Sequence, residues 1–300
     1  MISSVRTAEE RFEGLPDYTF KPNYVETLKG YEGLRAHYLD EGPKEAAHTF
    51  LCLHGQPTWS YLYRKMIPVF TSAGHRVIAP DFFGFGKSDK PVDDEIYTWT
   101  FHRSFLVSLI DHLQLSNITL VCQDWGGLLG LTLPHQMPEK FSRMIVMNTF
   151  LATGELPSQA FADWRTFVAE NPEFSISGLL KRSAPFLTDE EARAYDAPYP
   201  NSEYRAGARR FPALVMTEPE MEGTNDSLRA REFFQTEWQG ESFIACGAAD
   251  PVLGLPIMNA LKNDIQGSSE VMILEEGGHF VQEWGVPIAE AALNYFENVN

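Results

Sequence analysis

The 300-residue chain holds only three cysteines, Cys52, Cys122 and Cys246. An odd number at spacings that match no zinc pattern argues against a disulfide framework and against a metal site. Each cysteine falls inside an apolar, strand-like run, so buried and reduced thiols are expected, as in a cytoplasmic protein. Basic residues are also scarce: 24 Lys and Arg stand against 41 Asp and Glu, a formal net charge of −17. With no run of Lys or Arg, neither nucleic acid nor an anionic membrane surface is an expected partner. No apolar stretch is long enough to span a bilayer, and residues 1–10 lack the apolar centre of a signal peptide. Internal repeats and low-complexity tracts are missing too. What the chain has is apolar material, 44% of its residues, enough for a large core in one domain or in a domain with an insertion.

The pattern along the chain is an alternation. Residues 24–39 read as a hairpin with a glycine-bearing turn. A continuous apolar strand at 49–53 ends in His54 and Gly55, and a helix is expected from Tyr61 to about Ser72. A strand at 75–81 leads into a glycine-rich loop, 82–91. Residues 98–113 carry apolar side chains at helical spacing (Phe101, Phe105, Leu106, Leu109, Ile110, Leu113) and predict an amphipathic helix. A strand from Ile118, a further helix that can run through 128–133 and a strand at 144–148 follow. Such alternation implies parallel strands joined by crossover helices and covered on both faces. Residues 151–227 break the rhythm with Pro, Phe, Ala and charged residues and no strand-like run. A capping-box pattern at Thr188–Glu191 marks one helix there. This segment reads as a helical lid inserted after the sixth strand, with 1–150 and 228–300 forming the core. Alternation resumes with a strand at 242–247, a helix at 255–262, a strand at 270–274 and a closing helix at 287–296.

The stretch ITLVCQDWGG at 118–127 breaks from a buried strand into Asp124, Trp125 and two glycines. It resembles the nucleophile elbow of the α/β-hydrolases, G-x-S-x-G, with Asp124 at the apex, Cys122 in place of the first glycine and Gly126 in its usual place. A carboxylate is ionised at neutral pH and needs no base to act as a nucleophile; the alternative is an Asp that caps the following helix. Asp250 follows the strand at 242–247 and His279 follows the strand at 270–274. Residues just past the strand ends line the ligand crevice of an open parallel sheet. The order Asp124, Asp250, His279 is that of the α/β-hydrolase triad of nucleophile, acid and base. In that superfamily the residue after a His-Gly pair and the residue after the nucleophile supply the oxyanion hole, here the backbone N–H groups of Gln56 and Trp125. His54 itself reads as a packed, structural histidine.

Three stretches together, HGQPTWSYLYR at 54–64, DFFGFGKSDKP at 81–91 and VCQDWGG at 121–127, resemble the haloalkane dehalogenases closely. The resemblance spans nearly the whole chain, and the acid at Asp250 points to the subfamily with a two-tryptophan halide site. It implies an α/β-hydrolase fold with a helical cap and no cofactor or metal. It also implies SN2 attack by Asp124 on a small apolar halogenated alkane, followed by hydrolysis of the alkyl ester with His279-activated water. The products would be a primary alcohol, halide and a proton. Trp125 and Trp164 would bind the halide. Many relatives carry glutamate at position 56, where it helps hold the hydrolytic water; Gln56 departs from that pattern, although glutamine still hydrogen-bonds water. Indole N–H groups donate and cannot accept, which suits a departing halide in a dry pocket. Trp59, Trp99, Trp238 and Trp284 are expected to pack in the core, and Phe82, Phe161, Phe167, Phe174 and Phe186 are candidates for the pocket wall. A monomer is expected. The rival reading is an epoxide hydrolase with the same triad, whose acids would be lid tyrosines, here Tyr195, Tyr199 or Tyr204. That family usually has histidine where this chain has Gln123.

Overall fold

The computed structural model describes residues 2–298. Eight strands make the main sheet: β1 (Asn23–Val25), β2 (Ala36–Glu41), β3 (Thr49–Leu53), β4 (Arg76–Pro80), β5 (Ile118–Gln123), β6 (Phe141–Met147), β7 (Glu241–Gly247) and β8 (Met272–Leu274). Their spatial order is β8-β7-β6-β5-β3-β4-β2-β1. The pairings from β4 through β8 are parallel, whereas β2 pairs antiparallel with both β1 and β4. This is the α/β-hydrolase fold. The central strands β3 and β5 are buried at every position, which explains their unbroken apolar runs in place of an in–out alternation. A short antiparallel pair, Ser4–Val5 with Lys90–Pro91, ties the N-terminal segment to the glycine-rich loop.

Helices cover both faces. The amphipathic segment forms α2 (Trp99–His112), following α1 (Ile67–Ser72), and the Thr98 hydroxyl accepts from the Phe101 N–H at 3.1 Å to cap it. The helix expected over 61–72 divides into a 3-10 turn, Ser60–Tyr63, and α1. Pro68, in the first turn of α1, has no N–H to give to the Arg64 carbonyl and so interrupts a continuous helix, whereas the Ser60 N–H, which has no helical partner at the start of the turn, is capped by buried Asp81 at 2.7 Å. After the elbow, α3 (Trp125–Gly130) starts directly at Trp125 and ends before the expected 133. The Thr132 hydroxyl there donates to the Leu129 carbonyl and accepts from Arg103, drawing the chain out of the helix.

Between β6, the sixth strand, and the next core strand lie α4 (Gln159–Glu170), α5 (Ile176–Ser183), α6 (Asp189–Ala194), α7 (Ala206–Leu214) and α8 (Thr224–Thr236). The capping box at Thr188 and Glu191 opens α6. Residue 227 falls inside α8, which packs on α9 (Leu255–Asp264); α10 (Gly285–Asn298) closes the chain. One buried ion-pair cluster joins cap to core. The Arg64 guanidinium donates to both oxygens of Glu283 at 2.8 and 2.9 Å and to Glu191 of α6 at 3.2 Å, and the Tyr195 hydroxyl donates to Glu283. All three cysteines are buried and free.

Candidate active site

The elbow between β5 and α3 places Asp124 at φ 51°, ψ −125°, a conformation few non-glycine residues adopt. The strain is tolerated because the neighbours are small where space is short. A Cβ on Gly126 would stand 2.0 Å from the Leu53 carbonyl oxygen, and one on Gly55 would stand 2.4 Å from Oδ1 of Asp124. The turn holds the carboxylate against the end of β3. There the Gln56 N–H donates to Asp124 Oδ1 at 2.8 Å. The Trp125 N–H, the first of α3, has no preceding turn of helix to accept it and is the second candidate donor.

His279 faces Asp124 from the loop after β8. Its Nδ1 donates to Asp250 Oδ2 at 2.8 Å, and its Nε2 lies 3.5 Å from Asp124 Oδ2. Burial pushes the imidazole toward neutrality. The charge of Asp250, with hydrogen bonding to Asp124 and Asp250, outweighs it and raises His279 to about 10. Asp250 is held below the ordinary carboxylate range in spite of its burial. His279 acts first, with the Val252 N–H and the Asn148 amide adding donors at 2.8 and 2.9 Å. Asn148 directly follows β6 and reaches Asp250 with Nδ2, while its Oδ1 accepts the Gly247 N–H at 2.8 Å. Asp250 is thus fastened to the ends of two neighbouring strands. Sequence reading passed over Asn148, whose only signal was its place just past a strand end.

A cavity of about 730 Å³ lies between the sheet edge and the cap. Its wall includes all six candidate residues: Gln56, Asp124, Trp125, Trp164, Asp250 and His279. Neither Trp125 nor Trp164 spends its indole N–H on a hydrogen bond among the described residues. Phe211 of α7 lies against the Trp125 ring with centroids 4.4 Å apart, and Phe174 meets Trp164 edge-on at 5.4 Å, so both indoles are braced by cap residues. The Gln56 side chain donates through Nε2 to the Ala208 carbonyl at 2.6 Å, which fixes the amide and leaves Oε1 as its open acceptor.

Of the five phenylalanines proposed for the wall, Phe161 and Phe167 line the cavity, together with Phe150 and Phe280. Phe82 is buried beside His54 and His102, Phe174 packs behind Trp164, and Phe186 is exposed against Trp284. Trp59, Trp99 and Trp238 are buried, as expected; Trp284 is only partly so. His54 is a packed residue: Nε2 accepts the Phe82 N–H at 3.1 Å and Nδ1 faces the Gly55 carbonyl. The tyrosines that an epoxide ring opening would need are engaged elsewhere. Tyr195 bonds Glu283, Tyr199 donates to the Pro57 carbonyl at 3.1 Å, and neither they nor Tyr204 reach the cavity wall. Among the described residues no group of three or more His, Cys, Asp or Glu could hold a metal ion, and no helix is long and apolar enough to cross a membrane.

Residues 48–286 match the family model of the alpha/beta hydrolase fold. The chain is 43% identical over 284 residues to a haloalkane dehalogenase of Psychrobacter cryohalolentis, with 93% of each chain covered. It is 39% identical over 295 residues to one of Mycolicibacterium paratuberculosis, with 97% of each covered. Among solved structures, the tetrameric haloalkane dehalogenase DpaA of Paraglaciecola agarilytica NO2 superposes with a TM-score of 0.96 at 53% identity, covering 98% of both chains.

Proposed function

The chain belongs to the haloalkane dehalogenases, within the α/β-hydrolase fold family, and from that membership we propose how its own residues divide the hydrolysis of a carbon–halogen bond. One observation carries the reading: a carboxylate on a strained backbone turn, with one oxygen already held by a backbone donor, shares an apolar-walled cavity with two indole N–H groups that are unengaged among the described residues.

Asp124 is the nucleophile. Its Oδ1 is occupied by the Gln56 N–H, so Oδ2 attacks the halogen-bearing carbon of a small apolar haloalkane from the side opposite the halogen. A C–O bond forms, the carbon–halogen bond breaks, and its electron pair leaves with the halide. Trp125 and Trp164 donate to that anion as its charge grows, in a water-poor cavity where such contacts are strong. The alkyl ester on Asp124 is then hydrolysed. His279 Nε2 takes a proton from water while the water oxygen bonds to Cγ, and the Gln56 and Trp125 N–H groups hold the charge that gathers on Oδ1. Asp250 holds the ring in the tautomer with its proton on Nδ1 and stabilises the imidazolium. Collapse breaks the Cγ–Oδ2 bond, the imidazolium proton passes to the departing alkoxide, and a primary alcohol leaves with halide and a proton as co-products. Gln56 Oε1 is the acceptor placed to orient the water. No cofactor or metal enters.

The segment 151–227 serves as the cap that keeps water out of the first step. Three buried thiols suit a reducing compartment, and we place the protein in the cytoplasm. A lone chain has a mass of 33.9 kDa, and an assembly like that of the Paraglaciecola relative would have four times as much. Sedimentation distinguishes the two.

The test is His279→Phe with a short bromoalkane. Alkylation proceeds and hydrolysis stops, so intact-protein mass spectrometry shows a stable alkyl adduct that a peptide digest places on Asp124. Halide release without an adduct would defeat the covalent route, and turnover of an epoxide without halide chemistry would return the rival reading.

A further inference from the structure

Gln123 closes β5 immediately before the nucleophile, and its side chain is wholly buried. Its amide nitrogen lies 3.0 Å from the His279 carbonyl oxygen and 3.1 Å from His279 Nε2. A carbonyl only accepts, so the NH2 end of the amide faces His279. The other end agrees, because Oε1 accepts from Gln282 Nε2 at 3.4 Å. An amide N–H cannot accept a proton, so its contact with Nε2 is favourable only while that nitrogen carries a lone pair. This is the same tautomer that Asp250 selects through Nδ1. Nε2 is also nearer to Gln123 than to Asp124, at 3.1 against 3.5 Å.

We infer that Gln123 is a positioning residue for the second half of the reaction, its amide holding His279 in place and in its neutral, proton-accepting form within the alkyl-enzyme. The inference rests on the roles of Asp124 and His279 given above.

The charges around the ring make such a device necessary. Asp250 faces it from the loop after β7 and Asp124 from the elbow, and each favours the imidazolium. Glu276, on the loop after β8 that carries His279 itself, and Asp163 and Arg182 of the cap line the same cavity, and behind Gln123 the Tyr63 hydroxyl meets Gln282. Alkylation turns Asp124 into a neutral ester and removes one of the two close anions. Asp250 still draws a proton onto the ring, and the Gln123 amide is the close neighbour that opposes it. When water arrives, its O–H replaces the amide at Nε2, while the bond from Gln123 to the His279 carbonyl holds that residue's backbone and Asp250 holds its ring. Consecutive residues of one strand end therefore carry the nucleophile and steady the base.

Gln123→Met keeps the length of the side chain without its donors, and Gln123→Glu keeps its shape while placing a carboxylate near Nε2. The full-length proteins are followed with 1-bromobutane in single turnovers from pH 6 to 10. Halide release reports alkylation and alcohol release reports ester hydrolysis. In Gln123→Met the apparent pKa of the hydrolysis step rises by roughly half to one pH unit. Gln123→Glu shifts it farther in the same direction, and either variant accumulates alkyl-enzyme at pH 7. A loss confined to packing would instead slow both steps alike at every pH, with no shift, and that result overturns the inference. Gln123→Glu carries the same sign if the methionine variant fails to fold. A wild-type protein without a halide burst sinks the reading of Asp124 and this inference with it; a normal burst with an unshifted profile in the variants sinks the inference alone.

Discussion

The Gln56 N–H donates to Asp124 Oδ1 at 2.8 Å, so the two oxygens of this carboxylate are already distinct: Oδ1 is held by the backbone, and Oδ2 lies 3.5 Å from His279 Nε2. This asymmetry predicts where oxygen atoms go. In a single turnover in 18O-water the first alcohol carries unlabelled oxygen, because its oxygen was Asp124 Oδ2, and the label enters the Asp124 side chain. Label in the first alcohol would mean direct attack by water. Asp124→Asn, an uncharged amide, should show no halide burst at all.

Trp164 tests the cap. Its indole N–H makes no hydrogen bond among the described residues and the residue lines the same cavity as Trp125, so Trp164→Phe removes the proposed halide donor while keeping an aromatic ring against Phe174. Loss of one preorganised donor at such a site costs on the order of 10² to 10³ in rate. The loss should fall on the alkylation step, and bromide quenching of the intrinsic fluorescence should weaken in parallel. An unchanged burst with unchanged quenching would remove Trp164 from the site.

His279 gives stability a definite pH dependence. Burial lowers its proton affinity, but Asp250 and Asp124 outweigh burial and lift it to about 10, against an ordinary value of about 6.5. A group raised in the folded state contributes stability that is complete below its unfolded value and is lost as pH rises through its folded value. Urea midpoints should therefore fall between about pH 6.5 and 10, by an amount worth a few kcal/mol at most. His279→Gln should flatten that part of the profile; an equal slope in the variant would assign it to other groups.

The seam between cap and core should be fragile to a single charge. Glu283 accepts two bonds from the fully buried Arg64 and one from Tyr195 of the cap. Glu283→Gln leaves Arg64 short of its counter-charge and should cost about 3–5 kcal/mol in equilibrium unfolding. Tyr195→Phe removes one hydrogen bond and should cost about 1–3 kcal/mol, since a buried acceptor loses a partner. Equal, small losses in both would show that the guanidinium finds water instead.

Much of the site was legible in the order of residues. A parallel sheet delivers the ends of its strands to one edge, so a residue just past β5, one past β7 and one past β8 must meet there, whatever the loops between them do. The strained turn at Asp124 was visible in the small residues beside it, and β3 and β5 were visible as unbroken apolar runs because both their faces are covered. The helix expected over 61–72 was less legible, because Pro68 withholds the N–H a continuous helix needs and the start of the first turn is set by Asp81, which caps Ser60 from an element that periodicity treats separately.

The sequence by itself determined the strand order of the chemistry: Asp124, then Asp250, then His279, with Gln56 and Trp125 beside the nucleophile. Only the tertiary structure decided which of the 21 phenylalanines reach the cavity, that Trp164 shares it with Trp125, and that Asn148 reaches Asp250 and Gln123 reaches His279. The physical reason is the length of the contacts. Periodicity and local motifs report what a residue does within its own strand or helix, whereas the Gln123 amide and His279 are 156 residues apart and Asn148 and Asp250 are 102 apart. Such pairs exist only once the sheet has set its register and the cap has settled over its edge.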